Sequence, residues 1–249
     1  MRYFDGITET RKAELFKQLR AVWTHDSTAI EGNTLTLGDT MFVLEYGLTI
    51  KGKPLKDQRD AQNHAAAVDH LMKLGAKDAF TEADLFDLHR LVINEQTLDI
   101  YKPVGAYKRE DNGTYRATSE GKSVYHAYVA ADETPAAMRR WLADFNAALE
   151  ESAMASEERL VELYARLHQG FTSIHPFFDG NGRLARLLAN LPILRAGCPP
   201  IVIPVERRAD YLAAIWAAED PAQGLKPLQK LLAESWQTTL DLVAAAKGN

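Results

Sequence analysis

One twelve-residue segment, 175–186, combines residue types that could bind a polyphosphate. Gly180 and Gly182 let the backbone adopt positive φ angles, so that several main-chain N–H groups can face one anion. The helix predicted to follow presents its N-terminus, with free N–H groups and the positive end of its dipole, to the same place. Arg183 and Arg186 are three residues apart on one face of that helix, where their guanidinium groups can converge on phosphate oxygens. The pattern predicts a polyphosphate-binding loop.

Two further side chains of this segment could supply a reaction. His175 can take a proton from an attacking hydroxyl, because a histidine ordinarily titrates close to neutral pH. Asp179 offers a hard oxygen ligand beside the phosphates, which suits Mg²⁺. A general base of this kind typically contributes about 10²- to 10⁴-fold in rate. Together with the phosphate-binding loop, the two residues predict a reaction centre.

A second short pattern lies far upstream of the loop. Ser27 and Glu31 are four residues apart and share one face at the C-terminal end of a predicted helix. An acidic side chain is unfavourable there, near the negative end of the helix dipole, unless a positive group compensates it. Glu31 is therefore either the partner of a cation elsewhere in the chain or a solvated charge at the helix end.

Apolar residues at helical spacing predict the scaffold that positions both segments. Capping residues and glycine or proline stops set the expected bounds. Helices are predicted over residues 8–30, 41–46, 57–74, 81–94, 134–149, 156–174, 184–191, 208–218 and 225–245. Thr134 is expected to be an N-cap ahead of Pro135, and Pro192 is expected to kink or end the helix before it. The continuous apolar stripe of 156–174 places that helix at the centre of the core.

Residues 101–128 have a different character, with short segments rich in Thr, Tyr and Val between Gly, Asn and Asp. GTYRAT and KSVYHAY predict a small hairpin that turns at Ser119-Glu120-Gly121. No long linker, repeat or low-complexity tract interrupts the chain. The predicted fold class is therefore all-α with one small β-hairpin, built as one compact unit.

The composition excludes several classes of protein. The 249 residues are 46% hydrophobic and 25% charged, the proportions of an ordinary globular protein. A net charge of -5 argues against direct nucleic-acid binding, which needs concentrated positive charge. The single cysteine, Cys198, cannot form an intramolecular disulfide, and no run approaches the roughly 18 apolar residues of a membrane span. With an N-terminus too polar for a signal peptide, we expect a cytoplasmic protein.

The segment HPFFDGNGRLAR, residues 175–186, resembles the signature of the Fic (filamentation induced by cAMP) family. That signature is His-Pro-Phe-x-(Asp/Glu)-Gly-Asn-Gly-Arg-x-x-Arg, and every fixed position is matched. The resemblance covers most of the chain after about residue 83 and implies a mainly helical catalytic core over 83–249, with an N-terminal helical region, 1–82, packed on it. Most characterised Fic proteins transfer AMP from ATP to a Ser, Thr or Tyr hydroxyl of a protein.

The resemblance also implies a role for each loop residue. His175 would be the general base for the target hydroxyl, and Asp179 would hold Mg²⁺ between the phosphates. The other residues would bind phosphate oxygens, with Gly180, Asn181 and Gly182 at the α- and β-phosphates, Arg183 at the leaving pyrophosphate and Arg186 at the γ-phosphate.

Two regions outside the loop resemble other parts of Fic proteins. The hairpin, roughly 113–128, resembles the flap that registers an extended target segment by main-chain pairing. Tyr211 and the helix that carries it resemble the region lining the adenine pocket.

Residues 27–32, Ser-Thr-Ala-Ile-Glu-Gly, resemble the inhibitory motif (Ser/Thr)-x-x-x-Glu-(Gly/Asn) of regulated Fic proteins, in the group whose inhibitory helix is N-terminal. The resemblance implies that Glu31 pairs with Arg186 and so removes the partner of the γ-phosphate. Some members with this glutamate also remove AMP, and Glu31 would then position water. Self-modification, and self-association through an exposed helical face, are further expectations from such relatives.

Rival functions remain open at this point. The donor could be another phosphate-linked nucleotide, such as UTP or CDP-choline, or the transfer could be kinase-like. Asn181 and Gly182 argue against the kinase-like branch, which resembles this loop with different residues there. The rival from another class is a non-catalytic nucleotide-binding or toxin–antitoxin regulatory module.

Several other residues are expected to serve the core alone. His168 is interpreted as a hydrogen-bonded core residue rather than a zinc ligand. Cys198 is expected to be buried. Three tryptophans at helical spacing are interpreted as core residues rather than nucleobase stackers: Trp141, Trp216 and Trp236.

Overall fold

A computed structural model of the protein describes residues 3–93, 102–117 and 122–248. Within these ranges the chain is helical apart from one two-stranded antiparallel sheet. The elements are α1 (Glu9–Ala29), α2 (Leu37–Tyr46), α3 (Leu55–Leu74), α4 (Glu82–Ile93), β1 (Gly113–Ala117), β2 (Ser123–Ala127), α5 (Thr134–Ser152), α6 (Glu157–Ile174), α7 (Asn181–Leu188), α8 (Leu191–Arg195), α9 (Arg208–Ala217) and α10 (Lys226–Lys247). The predicted fold class is confirmed.

Side-chain caps explain where several helices begin and end. The Thr8 hydroxyl accepts from the Arg11 N–H at the start of α1. Thr36 and Asp39 form a reciprocal capping box at the start of α2, and α2 ends at Gly47 with a φ of 66°. These helix starts lie within a few residues of the predicted ones.

Two predictions about helix ends are wrong. Thr134 is the first residue of α5 rather than its N-cap, because its hydroxyl donates back to the Ala130 carbonyl at 2.8 Å. Pro192 neither kinks nor ends a helix, because α7 already stops at Leu188. Pro192 instead lies in the first turn of α8, where its missing N–H costs no hydrogen bond.

Helix α6 lies at the centre of the core, as its apolar stripe predicts. Leu163, Tyr164, Leu167 and Phe171 are all 0% exposed. Its neighbours are α5, α7 and α10. Trp141 of α5 packs on α6 and donates its indole N–H to the Leu167 carbonyl at 3.0 Å. The helix therefore gives the loop that follows it a rigid base.

The N-terminal helices share this core. Trp23 and Ile30 at the α1 end, and Val68 and Leu71 of α3, belong to the same buried cluster as the residues of α6. Cys198 is buried, as expected. The division at residue 82 stays a prediction. Among the described helices, none combines the length and the apolar character needed to cross a bilayer.

The hairpin lies outside the hydrophobic core. Its strands pair antiparallel, with Tyr115 opposite Tyr125. Arg116 of β1 donates through Nη2 to Glu219 Oε1, beyond α9, at 2.8 Å. The turn predicted at residues 119–121 lies outside the described residues.

We expect Asn190→Leu to destabilise the fold at the end of α7. Asn190 is 0% exposed; it donates to the Arg186 and Ile201 carbonyls at 3.0 and 2.9 Å and accepts from the Ile201 N–H at 2.7 Å. Leucine has a similar volume but leaves these buried groups unsatisfied, so the free energy of unfolding should fall by about 2 kcal/mol or more. Urea titration measures the change. Gln237→Ala, on an exposed face of α10, is the control and should stay within about 0.5 kcal/mol; a loss below about 1 kcal/mol for Asn190→Leu would contradict the account.

Candidate active site

The backbone turns sharply at His175, between α6 and the loop. His175 has φ 51° and ψ 59°, and it is the one non-glycine residue with positive φ in the described ranges. Its N–H still donates to the Phe171 carbonyl at 3.0 Å, so it caps α6. The following Pro176 disfavours a continued helix, as predicted. The turn directs the histidine ring out of the core and into a cleft.

Asn181 ties the loop to itself. Its side-chain oxygen accepts from the Phe177 N–H at 3.0 Å, and its amide donates to the Phe177 carbonyl at 2.8 Å. Phe177 is 0% exposed and stacks on His89 with ring centroids 3.9 Å apart. The side chain of Asn181 therefore shapes the loop, which leaves its main-chain N–H for a phosphate; that role stays a prediction.

The start of α7 has the geometry of an anion site. Gly180 has φ 81°, and a β-carbon there would lie 2.9 Å from Ile93 Cδ1, so the position favours glycine on two grounds. No side chain caps the N-terminus of α7, which leaves its first N–H groups free for a ligand. A β-carbon on Gly182 would collide with Glu31 Oε1. The Glu31 carboxylate thus lies directly against the helix start.

Arg186 joins the two predicted motifs. Its Nη2 donates to Glu31 Oε1 at 2.7 Å and to the Ser27 carbonyl at 2.7 Å, and its Nε donates to Ser27 Oγ at 3.1 Å. Its side chain is 4% exposed, whereas that of Glu31 is 44% exposed. The cation expected for the acidic end of α1 is therefore Arg186. Arg208 adds a second one, donating through Nε to the Ile30 carbonyl at 2.6 Å.

The Glu31 carboxylate is held in its charged form. Burial alone would raise its pKa, but the charge and hydrogen bond of Arg186, with a further contribution from Arg183, bring the pKa below its ordinary value. Glu31 is therefore an anion at neutral pH, placed where the resemblance puts a γ-phosphate.

Arg183 and Arg186 bind different partners. Arg183 lies 3.3 Å through Nη2 from Asp179 Oδ1 and 3.7 Å through Nη1 from Asp60 Oδ1. Their predicted convergence on phosphate oxygens stays a prediction. Asp60 of α3 gives no sequence signal, because its contact depends on how α3 packs on α7.

Asp179 fits the predicted metal ligand. Its side chain is 66% exposed at the mouth of the loop. Among the described residues no group of three His, Cys, Asp or Glu side chains could hold a metal by itself. One carboxylate completed by phosphate oxygens is the donor set that Mg²⁺ accepts, so the residues present fit a nucleotide-bound Mg²⁺.

The His175 ring is held in its neutral form. Burial, assisted by the charge of Lys108, lowers its pKa to about 4. Its ring stacks on that of Tyr128, with centroids 3.9 Å apart and planes 4° from parallel. The imidazole is therefore neutral at pH 7 and can accept a proton. Neither Tyr128 nor Lys108 was found from the sequence, because both come from the segment around the hairpin.

Glu31, Tyr128, His175, Gly182 and Arg186 line one cleft of about 410 Å³, a volume within the usual range of small-molecule sites. Glu31, His175 and Arg186 form one side, and the hairpin and α9 form the other. Trp216 of α9 lines the cleft and is 37% exposed, with the Arg116 guanidinium 5.9 Å from its ring centre. Its interpretation as a core residue is wrong. Helical spacing shows which residues share a face, but not whether that face meets the core or a cleft.

Tyr211 lies at the bottom of the same cleft and is 2% exposed. Its hydroxyl accepts from Arg186 Nη1 at 3.3 Å and lies 2.8 Å from His168 Nε2. His168 is a hydrogen-bonded core residue, as interpreted. Burial lowers the pKa of His168 to about 3, so its neutral ring can accept the Tyr211 proton. Tyr211 therefore orients Arg186, while its predicted contact with adenine remains untested.

Comparison with known proteins agrees with this geometry. The sequence profile of the Fic/DOC family matches residues 79–193. Protein adenylyltransferase fic-1 of Caenorhabditis briggsae is 32% identical over 234 residues, which are 93% of this chain and 42% of that protein. The protein of the same name from Caenorhabditis elegans is 31% identical over 234 residues, with the same two coverages of 93% and 42%.

Solved structures give the same result. A Fic domain containing signaling protein from Bacteroides thetaiotaomicron superposes with a TM-score of 0.82 at 27% identity, over 98% of this chain and 94% of that one. A fragment of Fic-1 from C. elegans gives a TM-score of 0.80 at 28% identity, over 99% and 69%. The chain contains a domain of the Fic/DOC family over residues 79–193. It spans 42% of the length of the two Caenorhabditis relatives.

We expect His168→Gln to flatten the acid dependence of stability. The folded protein keeps His168 neutral down to about pH 3, whereas the unfolded chain protonates it near its ordinary pKa of about 6.5. Stability is therefore lost as the pH falls below about 6.5. Between about pH 6 and pH 5, the free energy of unfolding should depend less steeply on pH in the variant than in wild type, by roughly 1 kcal/mol per pH unit. Urea unfolding at each pH measures the difference. Tyr211→Phe, which keeps the histidine, should retain the slope; an unchanged slope in His168→Gln would count against its burial as a neutral group.

Proposed function

We propose that the protein transfers AMP from ATP to a Ser, Thr or Tyr hydroxyl of a target protein, and that Glu31 restrains this reaction. One observation carries the proposal: a neutral histidine, an uncapped helix start and a buried arginine face the same cleft. His175 supplies the base, the start of α7 the phosphate donors, and Arg186 a cation for the distal phosphate. The names of the Caenorhabditis relatives support the same activity.

In this reaction His175 takes the proton from the target hydroxyl. The hydroxyl oxygen forms a bond to the α-phosphorus as the bond from that phosphorus to the bridging oxygen breaks, and pyrophosphate leaves. The free N–H groups of α7 and Arg183 face the charge that develops on the leaving group. Mg²⁺, when held by Asp179 and the phosphates, would supply further charge neutralisation.

Glu31 restrains the reaction by occupying the place of the γ-phosphate. Its carboxylate contacts both Arg186 and the start of α7, as ATP would. Two anions cannot share these donors, so a nucleotide bound beside Glu31 loses its distal anchor. The α-phosphate is then poorly oriented for in-line attack.

The hairpin provides a surface for the target. Tyr115 and Tyr125 are 72% and 52% exposed on it, and Thr114 lines the same cleft as His175. An extended target segment would pair with a hairpin strand through main-chain hydrogen bonds. The same geometry would admit a hydroxyl of the protein itself.

Self-association and location are narrower proposals. Apolar side chains on and after α2 are exposed, which supports contact between two copies of the chain through this face: Met41, Phe42, Tyr46 and Leu48 are 42%, 39%, 59% and 58% exposed. A cytoplasmic location remains our expectation from the lone cysteine, Cys198.

AMP removal is a second candidate activity. The Glu31 carboxylate is charged, half-exposed and open to the cleft, so it could orient a water molecule towards an AMP-modified hydroxyl. Loss of Glu31 would then abolish removal while it increases transfer.

We expect Glu31→Gly to increase AMP transfer or self-modification by about tenfold or more, because Arg186 and the start of α7 become available to ATP. Transfer is measured with ATP labelled on the α- or the γ-phosphate in turn. The label should move from the α-phosphate only, and His175→Ala in the same background should abolish it. Glu14→Gly removes an exposed carboxylate from α1, the helix that ends just before Glu31, and serves as the matched control, with unchanged transfer.

Unchanged or lower transfer in folded Glu31→Gly would overturn the restraint. Transfer of the γ-label would indicate a kinase-like reaction. Nucleotide binding without transfer in every variant would favour a binding module.

A further inference from the structure

His175, the general base of the proposed reaction, has an unusual backbone conformation. His175 adopts a left-handed conformation, φ 51°, that residues with a β-carbon rarely adopt. Such a conformation persists only where the surrounding structure imposes it. The hydrogen bonds around residues 174–177 show what imposes it here.

Four consecutive carbonyl groups at this turn accept hydrogen bonds from one segment, residues 108–112. Lys108 Nζ donates to the Ile174 carbonyl at 3.3 Å, and the Lys108 N–H donates to the Pro176 carbonyl at 2.9 Å. The Asn112 amide donates to the carbonyls of His175 at 3.4 Å and Phe177 at 3.1 Å. We call residues 108–112 the brace.

Within the brace, the side chains of Lys108 and Asn112 also bind each other. Lys108 Nζ donates to Asn112 Oδ1 at 2.6 Å, which orients the Asn112 amide towards the loop. Lys108 is 4% exposed, and its charge lies at the C-terminus of α6, whose last turn holds no basic residue. A cation there is favoured by the helix dipole, which explains why a lysine can be buried at this place.

The brace reaches the imidazole ring as well as its backbone. The Tyr128 N–H donates to the Asn112 carbonyl at 3.1 Å, and the Tyr128 ring stacks on His175. Residues 108–112 lead into β1, and Tyr128 follows β2. The base of the hairpin therefore holds both the backbone and the ring of the histidine.

We propose that Lys108 and Asn112 are positioning residues, which orient His175 towards the target hydroxyl through the turn at 174–177 and through Tyr128. This inference rests on the proposed AMP transfer. Neither residue lines the cleft, so neither is expected to contact ATP directly. A hairpin that shifts when a target segment binds would move the general base with it.

The test uses Asn112→Ala and Asn112→Asp in the Glu31→Gly protein. Aspartate keeps the size of the side chain and the acceptor for Lys108 but loses the donors to the loop. We expect both variants to lower kcat for AMP transfer by about 10- to 100-fold, since a shift of about 1 Å in a reacting group can cost 100-fold. KM for ATP should stay within about twofold.

Asn146→Ala is the matched control. The Asn146 side chain also holds a loop by two hydrogen bonds to the backbone. It accepts from the Phe80 N–H at 2.8 Å and donates to the Phe80 carbonyl at 2.9 Å, away from the residues that line the cleft. It should lose comparable stability and keep kcat. An equal fall of kcat in Asn146→Ala and Asn112→Ala would overturn the proposal, since general destabilisation would then explain both.

A second readout does not depend on activity. In protein with ¹³C-labelled histidine, the ring protons of His175 should be shifted upfield by the stacked Tyr128 ring, and Tyr128→Leu gives the unshifted reference. Asn112→Ala should move the signals towards that reference, and Asn146→Ala should not. If Glu31→Gly transfers no AMP, the proposed function fails, but the chemical shift of the His175 ring protons still tests whether the brace positions His175. An unchanged chemical shift or an unchanged kcat in Asn112→Ala overturns that role of the brace.

Discussion

The buried guanidinium of Arg186 is the constraint on which the rest of the site depends. A charge that is nearly inaccessible to water must have its donors satisfied by acceptors, preferably by an anion. Helix α1 supplies the Ser27 carbonyl and hydroxyl, the segment just after it supplies the Glu31 carboxylate, and α9 adds the Tyr211 hydroxyl. If Glu31 moves away, another anion has to take its place, and a terminal phosphate is a chemically equivalent one. In the proposed mechanism, restraint and nucleotide binding therefore compete for the same donors.

The segment after Glu31 fixes the carboxylate at this arginine. The Asn33 amide donates to the Asp57 carbonyl at 2.7 Å, and the Thr34 N–H donates to Asp57 Oδ2 at 2.8 Å. Both bonds attach the end of α1 to the start of α3. Glu31 is thus an intramolecular ligand of Arg186 with a high effective concentration, and under the proposed restraint a free nucleotide would have to displace it.

The sequence revealed the parts of the site that depend on local spacing. The glycines of the loop, the histidine before its proline and the Ser27–Glu31 pair all follow from contacts within a few residues of one another, and the motif resemblance linked Glu31 to Arg186. The fold class followed from periodicity in the same way. The resemblance also located the hairpin at the site.

Long-range contacts could not be predicted in this way. Asp60, Lys108 and Asn112 reach the loop only because α3 and the base of the hairpin pack against it, and the spacing of their own neighbours does not indicate that packing. Trp216 was misjudged for a related reason, since a helix that borders a cleft exposes part of an apolar face. The predictions for Thr134 and Pro192 were wrong for different reasons: the Thr134 hydroxyl bonds back to the preceding turn, and α7 ends before the chain reaches Pro192.

The central claim is that Glu31 takes the place of the γ-phosphate, and nucleotide affinity tests it most directly. Dissociation constants for ATP and for AMP are measured by calorimetry, with Mg²⁺, in wild type and Glu31→Gly. Competition for Arg186 predicts that the variant binds ATP about tenfold or more tightly while its affinity for AMP, which lacks the distal phosphates, stays within about twofold. Equal gains for both nucleotides, or no gain for ATP, would contradict the account.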